Sequence, residues 1–114
     1  MADKPLAWLG TSLSDVQAFP SEVRQATGYQ LRRIQQGLMP TDWKAMPSVG
    51  KGVMEIRLRG KLEHRVLYIA KFAEAVYVLH AFEKKSQKTR DSDLARASLR
   101  LKELEQTRSA KKES

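Results

Sequence analysis

The sequence contains no cysteine among its 114 residues, which excludes disulfide frameworks, cysteine-based zinc sites and thiol chemistry. No window approaches the ~18 consecutive apolar residues that a membrane span requires, and no apolar run near the N-terminus indicates a secretory signal. Aromatic residues make up only 7% of the chain. We therefore expect a single cytoplasmic domain without membrane contact, whose small core depends on few large side chains.

Basic residues are in excess, with 21 Lys and Arg against 13 Asp and Glu, a formal net charge of +8. The excess is concentrated between residues 51 and 90, where ten basic and four acidic residues give a net charge of +6. A concentrated positive field favours a polyanionic partner, and nucleic acid is the leading candidate. On charge alone, a soluble basic protein without such a partner is an equally good interpretation.

Three helices are predicted from capping residues and apolar spacing. A short helix covers residues 12–19, and Pro20 opens a second helix that runs to about residue 36, because proline is tolerated in a first helical turn and disruptive inside a helix. Together these two segments are typical of a helical hairpin. A third helix is predicted over residues 92–108. The charged residues 109–114 are expected to form a frayed tail outside a single domain of residues 1–108.

Three strands are predicted before the last helix. Residues 53–59 alternate between apolar and charged side chains, residues 63–70 are rich in β-branched and aromatic types, and residues 75–82 are nearly all apolar. The turn residues between them indicate an antiparallel meander. The pattern therefore predicts an α+β fold, in which an N-terminal helical hairpin packs on a small antiparallel sheet and a helix follows at the C-terminus.

The remaining segments carry weaker patterns. Residues 6–9 suit a short strand or a segment packed on the core. Residues 39–52 hold two prolines and two glycines and are interpreted as a connection, within which residues 41–44 make one helical turn. Trp43 is expected to close the bottom of the core.

Seven side chains that can bind phosphate or transfer protons lie on or just after the predicted strands: Arg57, Arg65, Tyr68, His80, Lys84, Lys85 and Lys88. Such a set supports metal-free RNA cleavage, in which a 2′-hydroxyl attacks the adjacent phosphate. That reaction needs a base, an acid and cations that stabilise negative charge on phosphorus. The two histidines have no accompanying carboxylates at ligand spacing, so we expect neither a metal nor another cofactor.

Each of these residues also has a purely structural interpretation. A histidine within an apolar strand, such as His80, is more often a packed and hydrogen-bonded core residue, and core packing is the default for Tyr68. Arg57 fits an ordinary exposed strand position, and Lys84 with Lys85 fits a solvated turn. Only their joint occurrence on one sheet favours a functional site.

The segments Gly52-Val-Met-Glu-Ile-Arg57, His64-Arg-Val-Leu-Tyr68 and Tyr77-Val-Leu-His-Ala-Phe82, the last followed by Glu83-Lys-Lys-Ser-Gln-Lys-Thr89, occur in this order. This order resembles the phage-derived HigB-like toxins of the RelE/ParE superfamily. The resemblance implies a RelE-like α+β domain and a toxin of a type II toxin–antitoxin system, which cleaves mRNA on the ribosome. It also implies a cognate HigA-like helix-turn-helix antitoxin that holds the toxin inactive in a hetero-oligomer.

The resemblance further implies catalytic or phosphate-binding cations at Arg57, Arg65, Lys84 and Lys85, and it matches His80 and Tyr68 to recurring positions. The neighbouring cations expected to contact RNA are Arg59, Lys61, Lys88 and Arg90. Two alternatives stay open: a ParE-like non-enzymatic inhibitor of DNA gyrase, and a degenerate prophage domain that binds RNA without cutting it. The clustered cations favour the endonuclease, because a pure gyrase binder needs no phosphate site.

Overall fold

The computed structural model describes residues 3–85 and 88–113, with side chains through residue 111. Ser86 and Gln87 of the basic motif after the last strand lie outside the described residues. The elements follow in the order β1 (Leu6–Trp8), α1 (Ser12–Gln17), α2 (Ser21–Gln35), β2 (Trp43–Ala45), β3 (Val53–Leu58), β4 (Glu63–Ile69), β5 (Val76–Lys84) and α3 (Asp91–Glu113). The mixed α+β class predicted from the sequence is confirmed. None of these helices is both long and apolar enough to cross a lipid bilayer.

The strands form one sheet in the order β1-β5-β4-β3-β2. The predicted antiparallel meander is confirmed, because β3 pairs with β4 and β4 with β5 in antiparallel register. The sheet as a whole is not antiparallel, since β1 pairs with β5 in parallel. A parallel partner requires a long crossover connection, and here that connection contains most of the domain.

The two N-terminal helices lie close to their predicted positions, but the expected hairpin is only partly present. The short helix α1 packs mainly on β5, and α2 packs on β3. A hydrogen bond from the Ser12 hydroxyl to the carbonyl of Val78 (3.2 Å) ties α1 to the sheet. Pro20 stands immediately before α2, where its missing N–H removes no helical hydrogen bond.

The segment around Trp43 differs from its prediction. Residues 43–45 are the edge strand β2, paired with β3, and not a helical turn. Trp43 is 41% exposed and does not close the core. Three residues are too few to show a period of two, so the pairing with β3 decides the conformation here.

The sheet separates two hydrophobic clusters. The face covered by α1 and α2 buries side chains that include Leu31, Ile34, Ile56 and Val66. The opposite face is covered by α3, where Leu67 and Leu79 pack against Leu101. α3 continues beyond the predicted end at residue 108, to Glu113. The alternation of side chains along each strand determines which cluster a residue joins.

Candidate functional site

A cleft of about 560 Å³ opens on the α3 side of the sheet, where β3 ends, β4 begins and β5 ends. Six basic side chains and two carboxylates are among its lining residues: Lys44, Arg57, Arg59, Arg65, Lys84, Lys88, Glu55 and Glu63. Two cross-strand pairs create this cluster, because Arg57 lies opposite Arg65 and Glu63 lies opposite Lys84. The excess of cations makes the cleft suited to a phosphate-bearing ligand.

Arg65 forms the inner wall of the cleft and is almost completely buried, with 3% of its side chain exposed. Its Nε lies 3.4 Å from Oε1 of Glu55, which is equally buried, and its Nη2 donates to Oε2 of Glu63 (3.1 Å). Its Nη1 donates to the carbonyl of His64 (3.1 Å). These contacts hold the guanidinium in one orientation, which is what a preorganised electrostatic site requires.

Arg57 and Arg59 form the outer wall and share a carboxylate. Nη1 of Arg57 lies 3.8 Å from Oδ1 of Asp42, while Nε of Arg59 donates to Oδ2 of Asp42 at 2.7 Å. The hydrogen bond that Arg59 donates to Asp42 raises the pKa of Arg59, which stays charged. Both arginines are more exposed than Arg65 and are positioned for a ligand that approaches from solvent.

One family of known proteins matches most of the chain, including the residues that line the cleft. A family model described as "Phage derived protein Gp49-like (DUF891)" matches residues 14–102, which include the whole lining of the cleft. The chain belongs to the phage-derived Gp49-like family. This family is toxin-like, of the RelE/HigB type, and the protein is accordingly toxin-like. No curated protein matches the sequence.

In this Gp49-like protein, several of the expected cations surround the cleft without lining it. Lys85 follows the last residue of β5 and is exposed. Lys61 lies in the β3–β4 turn and lines a neighbouring groove beside α2, which Arg57 and Arg59 also line. Arg90 precedes α3 and points its Nε to Asp93 (3.3 Å).

His80 lies on the same sheet face as Arg65, but α3 covers it. Its Nε2 is 2.8 Å from Oδ1 of Asp93, and its Nδ1 is 3.4 Å from Nη1 of Arg100. A guanidinium can only donate, so Nδ1 accepts and Nε2 carries the proton that is shared with Asp93. Burial lowers the pKa of His80 despite the neighbouring carboxylate. The structure thus places His80 in a neutral, fully engaged state inside the core.

Tyr68 is not brought to the cleft. It is 2% exposed and belongs to the cluster beneath α1 and α2, on the opposite face of the sheet from Arg57 and Arg65. Burial raises the pKa of its phenol to about 12. The alternation within β4 already separates Tyr68 from Arg65, because residues three apart in a strand face opposite sides.

The structure adds residues to this region that were not among the candidates, including Glu55, Glu63, Thr89 and Asp93. Glu55 pairs with Arg65, Thr89 contacts Glu55, and Asp93 binds His80. A signal for Glu55 exists in the sequence, since its side chain shares a face with Arg57 in the alternating strand. The contacts of Thr89 and Asp93 depend on how α3 docks, which local patterns do not reveal. Among the described residues, no three His, Asp or Glu side chains gather as metal ligands would.

Proposed function

We propose that the protein is a HigB-like toxin of a type II toxin–antitoxin system that cleaves mRNA on the ribosome without a metal. The observation that supports this most is the cleft in which Arg57, Arg65 and Lys84 converge from three adjacent strands. Three cations around one concave site match the charge that builds up on a phosphate during in-line attack. A protein that only occupies a surface of DNA gyrase gains nothing from such a site.

The proposed reaction begins with attack of the 2′-hydroxyl on the adjacent phosphorus. The hydroxyl proton passes to a base, the new O–P bond closes a 2′,3′-cyclic phosphate, and the bond to the 5′-oxygen breaks as that oxygen takes a proton from an acid. Glu63 and Lys84, which lie opposite each other in the cleft, have the chemistry for base and acid respectively. Arg65 and Arg57 stabilise the charge on the phosphate oxygens. The products carry a cyclic phosphate and a free 5′-hydroxyl.

The partners follow from the same proposal. Ribosomal RNA and message supply the polyanion that the concentrated positive charge of residues 51–90 favours, and the ribosome orders the message so that one phosphate enters the cleft. A cognate HigA-like helix-turn-helix antitoxin binds the toxin and keeps it inactive. Toxin, antitoxin and target meet in the cytoplasm.

The test is controlled induction of the protein in bacteria, followed by mapping of mRNA ends. We expect growth to stop and translated messages to break into fragments with 5′-hydroxyl ends. Arg57→Ala and Lys84→Ala should each abolish fragmentation while the circular dichroism spectrum stays unchanged. Arg24→Ala removes one exposed positive charge outside the cleft and serves as the matched control, which should remain toxic.

Two results would contradict the proposal. Intact messages together with accumulated gyrase–DNA cleavage complexes would identify a gyrase inhibitor. Full toxicity of both Arg57→Ala and Lys84→Ala would show that the cleft is not the site.

A further inference from the structure

Residues 88 and 89, just before α3, lie at the cleft and contact its inner wall. The hydroxyl of Thr89 donates to Oε2 of Glu55 (3.4 Å), and Oε1 of the same carboxylate lies against Arg65. Lys88 lines the cleft beside them. The placement of residues 88 and 89 therefore affects both the charge of the cleft and the orientation of its most buried cation.

The first turn of α3 determines where these two residues lie, and Asp93 holds that turn. Its Oδ1 accepts from Nε2 of His80 (2.8 Å), and its Oδ2 accepts from Nε of Arg90 (3.3 Å). The backbone N–H of Asp93 also donates to the carbonyl of Arg90 (3.0 Å). A buried carboxylate is costly unless it is hydrogen-bonded, so these bonds hold the start of the helix at one place on the sheet.

His80 is a rigid attachment point for this carboxylate. Its ring stacks on Phe82 (centroids 5.2 Å apart, planes 21° apart), and Phe82 is the residue opposite Arg65 in the sheet. Arg100 donates to the carbonyl of Leu79 (2.8 Å) and approaches the other imidazole nitrogen. The start of α3 is thus connected to the neighbourhood of Arg65 twice, once through Thr89 and once through His80 and Phe82.

We propose that Asp93 is a positioning residue: by binding His80 it holds Thr89 and Lys88 at the cleft, and Thr89 orients the Glu55–Arg65 pair toward a bound RNA phosphate. The part that concerns RNA rests on the proposed function, whereas the placement of Thr89 does not. The apolar contacts of Leu101 and Leu104 dock α3 further along its length, so the role of Asp93 is separable from docking of the helix as a whole.

The first experiment measures this placement by NMR in the folded protein, using the methyl and amide signals of Thr89. In Asp93→Ala we expect the Thr89 signals to lose their native shifts and the amide its protection, while the amides of β3 and β4 keep theirs. Asp93→Asn keeps an oxygen for His80 and should preserve the Thr89 signals. Leu104→Ala weakens α3 elsewhere and should lower Tm without moving Thr89. Native Thr89 signals in Asp93→Ala, or their equal loss in Leu104→Ala, would overturn the proposal.

The second experiment measures cleavage of ribosome-bound mRNA, and it adds Thr89→Val, which removes the hydroxyl and keeps the shape. Misorientation of Arg65 acts on the transition state, so kcat should fall on the order of tenfold in Asp93→Ala and Thr89→Val, with a smaller change in KM. Asp93→Asn and Leu104→Ala should keep the wild-type kcat. Wild-type kcat in both Asp93→Ala and Thr89→Val would refute the positioning role. A wild type that cleaves no message would instead refute the proposed function and leave the NMR result to decide the placement.

Discussion

At the scale of single residues, the Arg65–Glu55 pair is the feature of the cleft with the largest free-energy cost of desolvation. Both side chains are buried, and transferring two charges out of water is expensive unless each finds partners. Arg65 finds them in Glu55, Glu63 and the carbonyl of His64, and Glu55 finds a second one in Thr89. Retaining such a pair beside a cleft is consistent with a guanidinium whose position serves a ligand.

We predict that replacing one member of this pair destabilises the protein more than replacing both members with apolar residues. Arg65→Met leaves the Glu55 carboxylate buried without its cation and should lower the free energy of unfolding by about 3–5 kcal/mol. The double variant Arg65→Met/Glu55→Leu should recover most of that loss, because no buried charge is then unpaired. Urea denaturation of both single variants and the double variant measures the coupling. Additive losses would show that the two side chains do not interact.

The buried imidazole of His80 predicts a pH dependence of stability. Its pKa is lowered in the folded protein from the usual 6.5, so below that pH the unfolded chain binds more protons than the folded one. The contribution of His80 is therefore unchanged at higher pH and becomes destabilising as the pH falls below 6.5. Between about pH 7 and about pH 5.5, the wild type should lose more stability than His80→Gln, as measured by urea unfolding at each pH. Parallel curves for the two proteins would contradict this account.

Strand periodicity predicts which face of the sheet a strand residue occupies, but it does not predict which strand residues a helix covers. Arg57 alternates with apolar residues in β3, and Arg65 lies directly opposite it in the antiparallel pair with β4, so both point to the same face of the sheet. The same rule assigns Tyr68 to the other face, although both its capacity for proton transfer and the family resemblance had suggested it for the site. Burial of His80 depends on Asp93 and Arg100 of α3, and no local pattern shows which residues a distant helix brings over a strand.

At the scale of elements, α3 contains two leucines that differ in burial and can be compared within one helix. Leu101 packs on the sheet and is 6% exposed, whereas Leu99 is 56% exposed. Leu101 also packs closely on Gly50, where an added Cβ would collide with the leucine side chain. Leu101→Ala should reduce the free energy of unfolding by about 2–5 kcal/mol because it leaves a cavity. Leu99→Ala makes the same change of helix propensity and should stay within about 0.5 kcal/mol of wild type. Equal losses in urea denaturation would show that α3 does not pack as described.

The longer strands and α2 were predictable, β1 was one of the two alternatives given for residues 6–9, and β2 was missed. α2 and β3 through β5 each span enough residues to display their period, so their bounds differ from the predicted ones by one or two residues. β1 and β2 have three residues each and owe their conformation to hydrogen bonds with β5 and β3. Trp43 is an example. An aromatic residue in a short polar segment suggested core packing, but this segment pairs with β3 at the exposed edge of the sheet.

At the scale of the whole molecule, the net charge of +8 and the cations of the cleft predict how the proposed binding of RNA depends on salt. Each phosphate contact on single-stranded RNA contributes about 0.7 to the slope of log K against log salt concentration. Lys84→Gln/Lys88→Gln should therefore reduce the slope by roughly 1.4 for a short RNA, measured by fluorescence anisotropy across a salt series.

The control removes the same charge elsewhere. Arg24→Gln/Lys102→Gln changes two exposed residues outside the cleft and should leave the slope as in the wild type. If both double variants shift the slope equally, RNA binds the general positive field of the protein and not the cleft.

The parallel pairing of β1 has a consequence for how the molecule is made. Leu6 pairs with Val76, and the N–H of Leu9 donates to the carbonyl of Val78, so the earliest strand must wait for residues synthesised 70 positions later. At about 5–20 residues per second, that delay is roughly 4–14 s of translation. A nascent chain in which only β1 through β4 have been synthesised therefore still lacks β5, the strand that joins β1 to β4, together with Lys84 and Lys88. Under the proposed function, the protein would therefore lack an assembled cleft, and stay harmless to the ribosome that produces it, until β5 has been synthesised.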